Sequence, residues 1–192
     1  MYDPATNRYD HHQREFVGVL DGYNTKLSSA GLVYKHFGRD VLNAVLRDES
    51  SGSAPTSEFL DVCYSKLYKD FMEHVDAIDN GISVSDGEIK YHVSTTLSNR
   101  VGMLNPAWNE EQSGDIQNER FRQAMLLTCS EFLAHAKGLS DSWWPARSIV
   151  QEALNNRHSV DPSGKIIVFS QACPWKDHLF ELESLVSQYA CR

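Results

Sequence analysis

Cysteine, positive charge and strand-like alternation are all in short supply in this sequence. Its 192 residues include four cysteines, Cys63, Cys129, Cys173 and Cys191, with no Cys-x-x-Cys pair among them. That makes a zinc knuckle a weak reading and reduced thiols the simplest one. No apolar run approaches the roughly 20 residues of a membrane-spanning helix. The opening "MYDPATNRYD" lacks the basic and apolar segments of a secretory signal and the Arg-rich amphipathic character of a transit peptide. These absences predict a cytosolic or nuclear protein with no membrane partner. Eighteen Lys and Arg against 26 Asp and Glu leave a formal net charge of −8, which argues against gripping nucleic acid over a broad basic surface. An enzyme that handles a few phosphates through metal ions and a handful of arginines stays open. Nothing matches a nucleotide-binding glycine loop, a Gly-x-Ser-x-Gly elbow or a Cys–His nucleophile pair.

What is present is helical periodicity. A 41% hydrophobic content suits a soluble chain with a proper core, either one large domain or a domain with an appendage. "KLSSAGLVYKHFG" predicts a helix with Ser28 or Ser29 as N-cap and Gly38 as its stop. "RDVLNAVLRDE" repeats the helical period through Val41, Leu42, Val45 and Leu46. Residues 50–57, "SSGSAPTS", read as a flexible loop. From Glu58, the spacing Phe59, Val62, Cys63, Lys66, Leu67, Phe71, Val75, Ile78 is helical, and Gly81 sits where a C-terminal cap belongs. "TTLSNRVGMLNPAWN" predicts a short helix stopped ahead of Pro106. Residues 115–137 and roughly 142–157 predict two more, and "PWKDHLFELESL" a last one with Pro174 near N1. The one clear strand signal is "IIVF", 166–169, which needs a partner such as "YHVS", 91–94, or strands outside this sequence.

Three features carry chemistry. The first is the triplet Asp10, His11 and His12. Adjacent side chains do not share a helix or strand face, so the three heads converge only where the backbone bends. Imidazole and carboxylate suit manganese, iron or zinc, and an aspartate beside a histidine can fix the ring's tautomer; an exposed polar turn is the bland alternative. The second is Asp76 and Asp79, three apart on one face at the end of an apolar helix. Negative charge there opposes the macrodipole, which calls for a compensating cation or arginine, although Asp and Asn before Gly are also ordinary helix-ending residues. The third is a set of phosphate-friendly groups: Arg100, Arg147, Lys176 and the helix start after Pro174. "KLSSAG" is a weaker anion site of the same kind. Trp108, Trp143, Trp144 and Trp175 read as core or interdomain packing ahead of base stacking.

The stretches "YDHHQREF", "TKLSSAGLVYKHFG", "HVDAIDNGIS", "TTLSNRVGMLNPAWN", "WWPARSIVQEAL", "VDPSGKIIVF" and "ACPWKDHLFELE", in that order, resemble the MYG family, relatives of the DHH phosphoesterases. The likeness runs through residues 2–185 and reverses the weighting of the triplet. It implies an α/β fold of the DHH type, represented here by a mainly helical α+β fragment with few strands. It also implies a metal-dependent 3′-to-5′ exoribonuclease acting in nuclear and mitochondrial RNA processing, in cytoplasm and nucleus, with two divalent ions, usually manganese. By that resemblance Asp10, His11 and His12 form the third motif of the DHH pattern. His11 binds metal, His12 faces the scissile phosphate and Asp10 orients them. A fourth motif supplies Asp76, with Asp79 close behind. Arg100, Arg147 and Lys176 are phosphate or structural contacts.

The pattern is incomplete. Family members carry two upstream motifs with further histidines and a bridging aspartate, and Asp3 is not that aspartate. They also continue into a second, substrate-binding domain. The expectation is therefore that residues 1–192 are the middle of a DHH-like catalytic domain, without its N-terminal strands and C-terminal domain, and too poor in ligands for a two-ion centre. Three readings follow: a truncated member with little activity of its own, a binding or regulatory piece pairing with a copy of itself or a full-length relative, or a weak single-metal binder using His11, Asp76 and water. RNA or a short oligonucleotide is the implied substrate.

Overall fold

The computed structural model describes residues 1–47 and 54–190, without the side chains of 185–190. It divides into two compact units, residues 1–136 and 137–192. Helices dominate, as expected. Among the described residues the sheet is a single short hairpin, β1 (Tyr2–Asp3) antiparallel to β2 (Arg8–Tyr9).

The hairpin opens the first unit. Asp3 accepts the Ala5 N–H to cap the 3₁₀ turn Pro4–Thr6, and Asn7 takes the left-handed conformation (φ 55°) that lets the chain reverse. Its aromatic face rests on α1 (Ser29–Val45). Tyr9 meets His36 and Phe37 at ring separations of 5.2 and 5.5 Å, and the Tyr2 hydroxyl lies 2.8 Å from His36 Nε2. This contact fixes the chain just ahead of the triplet.

Helix α1 is continuous where the sequence suggested two helices, and Gly38 is not its stop. Gly38 is buried in mid-helix, and a Cβ there would stand 2.8 Å from Tyr64 Cε2 and 3.0 Å from Tyr34 Cδ2. The missing side chain lets α1 approach α2 (Ser57–Leu67) closely enough for Tyr34 and Tyr64 to stack at 4.8 Å and 8°. Arg39 covers the same Tyr64 ring at 3.9 Å while its Nε donates to Asp61 at 2.8 Å. Of the loop expected at 50–57, residues 50–53 lie outside the described residues, and Thr56 caps α2 through the Phe59 N–H.

Helix α2 runs through a wider π-helical turn, Tyr68–Met72, into α3 (Glu73–Asp79). The extra residue in that turn shifts the helix phase, and Tyr68, Phe71, Met72 and Asp76 are all buried. Gly81 ends the rod as expected. At φ +69° its N–H donates to Ile78 O at 3.1 Å, and the Ile82 N–H to Ala77 O at 2.8 Å, the paired bonds of a Schellman stop. The short helix α4 (Leu97–Gly102), capped by Thr96, and the long α5 (Gly114–Gly138) also follow the sequence periodicity.

In the second unit a π-helical turn, Leu139–Trp143, leads to α6 (Ala146–Val160), and α7 (Lys176–Ala190) follows. Trp175 O accepts the Leu179 N–H, so Trp175 is the N-cap and Pro174 precedes it rather than occupying N1. The strand expected at 166–169 does not form, and neither does one at 91–94. With no partner strand alongside among the described residues, a lone strand has no ladder for its backbone groups. Instead Ile167 and Phe169 pack, with Trp175 and Leu179, on the buried cluster Val150, Leu154 and Leu182, while Ile166 and Val168 face outward. Trp143, Trp144 and Trp175 are partly buried. Trp108 is 94% exposed, so of the four it is the one that does not pack into a core within the described residues.

Candidate metal centre

The bend that follows β2 gathers the triplet. Asp10 Oδ1 accepts the His12 backbone N–H at 3.1 Å and lies 2.7 Å from His12 Nδ1, an Asx-type turn that binds the side chain to its own loop. The Met1 ammonium lies 2.7 Å from Asp10 Oδ2. That ammonium, followed by the two His12 bonds, holds the Asp10 carboxyl well below the usual carboxylate range. An ionised Asp10 accepts only, so Nδ1 of His12 carries a proton, and in the neutral ring Nε2 holds the lone pair. His12 is exposed, and its ring lies 4.2 Å from that of His11.

His11 is 5% exposed and turned the other way. Its Nδ1 accepts the Ser29 N–H at 3.0 Å and lies 3.0 Å from Ser29 Oγ. Its Nε2 lies 3.2 Å from Asp79 Oδ2 at the end of α3. A residue from the N-terminal bend, one from the first turn of α1 and one from the last turn of α3 thus meet around a single imidazole. For Asp79 the group that stands where a cation or arginine was expected is Nε2 of this ring.

Asp76 is compensated differently. It is fully buried, and its Oδ1 accepts the Ser28 N–H at 2.9 Å and the Ser28 hydroxyl at 2.6 Å. Its Oδ2 accepts the Tyr68 hydroxyl at 2.9 Å. Ser28 is the N-cap of α1, and its Oγ also accepts the Gly31 N–H at 3.1 Å. The anion that the start of "KLSSAG" attracts is therefore the protein's own carboxylate, set against free N–H groups and the positive end of the helix dipole. Burial still raises the Asp76 pKa, and the Ser28 and Tyr68 hydrogen bonds oppose that rise. Neutral donors and a helix terminus stand here where a cation or arginine was expected.

The remaining expected site residues make contacts within their own units. Arg100 forms a two-pronged pair with Glu131 (Nη2–Oε2 2.7 Å). Arg147 does so with Glu181 at 3.0 and 3.2 Å, joining α6 to α7. Lys176 Nζ lies 5.8 Å from the Trp175 ring centre. Ser28, Ser29 and Tyr68 were not singled out as site residues. The small polar residues at a predicted helix start were the available signal for the two serines; Tyr68 gave none.

The donor set fits a divalent cation. Asp10, His11 and His12 each offer one ligand atom within 4.8 Å of one another, and Asp79 adds a second carboxylate beside His11. Two imidazoles and two carboxylates match the borderline and hard preferences of manganese, iron or zinc.

Fold and site together define a mainly helical α+β protein with an Asp-His-His cluster at a backbone bend. A family profile, MYG1 exonuclease, described as uncharacterised protein family UPF0160, matches residues 1–190, and the chain belongs to that family. It is 46% identical over 194 residues to the MYG1 exonuclease of Mus musculus, covering 97% of this chain and 49% of that protein. The MYG1 exonuclease of Homo sapiens is 45% identical over 194 residues, covering 97% and 50%. A MYG1 protein of Caenorhabditis elegans is 44% identical over 189 residues, covering 95% and 54%. The chain thus spans about half the length of these curated relatives. No solved structure matches it. None of its described helices is long and apolar enough to cross a membrane.

Proposed function

We propose that this chain carries the Asp-His-His portion of a divalent-metal phosphodiesterase centre with a DHH-type fold, acting on the 3′ end of RNA. The observation that carries the reading is the convergence of His11 and Asp79, 3.2 Å apart, beside the Asp10–His12 pair. Family membership supports it, and the mouse and human relatives bear the name exonuclease. Manganese is the proposed ion, held by His11 and Asp79 with Asp10 or His12 adjacent. Asp76 is the less suitable of the two late-helix carboxylates, because both of its oxygens already accept buried hydrogen bonds.

A bound divalent ion supplies Lewis-acid polarisation of a phosphate and lowers the pKa of its water. The residues do the rest. Asp10 keeps the His12 proton on Nδ1, so that in the neutral ring the exposed Nε2 is able to accept a proton. Arg100 and Arg147 are each engaged by a glutamate, Glu131 and Glu181. The four ligands suffice for one ion rather than two, so little activity is expected from this chain by itself.

The test is Mn²⁺ calorimetry together with a 5′-labelled short RNA. Uptake of one ion per chain, with slow loss of 3′ nucleotides that disappears in His11→Ala, is the expected result. One weakly held ion with intact RNA would mark a single-metal binder. No uptake at all overturns the proposal.

A further inference from the structure

We infer that Ser29 is a positioning residue for the candidate metal centre: its hydroxyl is the acceptor that allows His11 to present Nε2 to an ion. The inference rests on the metal reading above and deepens it.

A neutral imidazole has one N–H and one lone pair. The Ser29 N–H points at Nδ1 of His11 at 3.0 Å, so Nδ1 holds the lone pair. The proton then sits on Nε2 and faces Asp79 Oδ2 at 3.2 Å. In this tautomer Nε2 has nothing to give a cation. Nε2 becomes a ligand atom only after its proton has left and Nδ1 has gained one. The acceptor for that new Nδ1–H is Ser29 Oγ, which already lies 3.0 Å away.

The exchange is balanced. One proton leaves Nε2 for solvent, one is taken up at Nδ1, and the ring stays neutral. The Ser29 N–H must turn away from the ring. As the N1 residue of α1 it has no partner within the helix, so no helical bond breaks. A histidine that binds metal usually donates its other ring N–H to a carboxylate, carbonyl or water, and here a serine hydroxyl takes that place. Ser29 is thus distinct in role from its neighbour Ser28, whose hydroxyl is committed to Asp76 and Gly31.

A purely structural role would need only the Ser29 backbone N–H, which every substitution except proline keeps. The experiment uses the full chain. Imidazole ¹⁵N spectra without metal and with one equivalent of Zn²⁺, a diamagnetic stand-in, locate the His11 proton. Calorimetry with Mn²⁺ compares wild type, Ser29→Ala and Ser29→Thr. Expected are an Nε2–H ring without metal, an Nδ1–H ring with it, a roughly 10- to 100-fold weaker Mn²⁺ affinity in Ser29→Ala, and recovery in Ser29→Thr. The metal-free melting temperature of Ser29→Ala should stay near that of wild type. Equal affinity in wild type and Ser29→Ala, or an Nδ1–H ring before any metal is added, overturns the inference and leaves the metal reading intact. Wild type that takes up no Mn²⁺ overturns both.

Discussion

Asp76 holds the N-cap residue of α1, 48 positions earlier in the chain: its Oδ1 accepts both the backbone N–H and the hydroxyl of Ser28. The contact joins α3 to α1, and with it the two elements that bracket His11. Ser28→Ala removes an N-cap hydroxyl and one of the donors to a buried carboxylate. Loss of a cap costs about 0.5–2 kcal/mol, and the weakened solvation of Asp76 adds to that. Urea unfolding should show a loss at or above the top of this range. A change under ~0.5 kcal/mol, typical of plain surface sites, would show that the linkage contributes little.

The same carboxyl makes stability depend on pH. Its folded pKa is raised from 3.8 by burial, against the Ser28 and Tyr68 hydrogen bonds. The folded state therefore holds this proton more tightly than the unfolded chain. The resulting stabilisation is fully present below the unfolded value and is lost as pH rises through the folded one. Asp76→Asn does not titrate. The stability of wild type relative to this variant should fall as pH climbs above about 3.8, read from paired denaturation curves. A relative stability that grows over that window would contradict the buried-acid picture.

Gly38 sets two effects against each other. Alanine in mid-helix gains roughly 0.5–1 kcal/mol over glycine. Here, however, the added methyl would stand 2.8 Å from Tyr64 and 3.0 Å from Tyr34, two rings held in a stack. Overpacking costs about 1–3 kcal/mol, so the steric penalty should win. Gly38→Ala is expected to lower the melting temperature. A rise would mean the stacked tyrosines yield freely.

His178 gives the second unit a dependence of the opposite sign. It is fully buried, its Nε2 donates to Trp143 O at 2.8 Å, and its Nδ1 has no hydrogen-bond partner among the described residues. Burial lowers its pKa from 6.5. The unfolded chain then binds the proton more readily, so the stabilisation is present above about 6.5 and is lost as pH falls through the lowered value. Thermal melts on either side of that window should show the loss in wild type and a flatter response in His178→Phe. That variant keeps a ring against Trp143 and costs about 1 kcal/mol for the lost hydrogen bond. Parallel pH profiles for the two proteins would rule this origin out.

Helices α1 and α2 were legible because each buries apolar residues at a spacing that local geometry enforces. Leu32 and Leu42 on α1, and Phe59, Cys63 and Leu67 on α2, are buried as that spacing implies. Gly81 was legible for a similar reason, since a left-handed residue after an apolar helix marks a stop. Gly38 misled because a glycine that ends a helix and one that admits a neighbouring helix look alike in one dimension. "IIVF" misled because strand propensity is realised only beside a partner, and residues 166–169 have none among those described.

For the site, the sequence by itself determined the chemistry on offer: Asp10, His11 and His12 had to sit at a bend, and Asp76 and Asp79 had to share a helix face. It could not say which carboxylate meets which imidazole, because residues three apart on one turn are equivalent until another element packs against them. The tertiary structure made that choice. It set the start of α1 against α3, so that Ser28 and Tyr68 occupy Asp76 while Asp79 faces His11. Ring tautomer was decided at the same level, since the donor aimed at His11 Nδ1 comes from Ser29, 18 residues along the chain. Local sequence fixes which groups exist; hydrogen bonds across long loops fix which of them stay free.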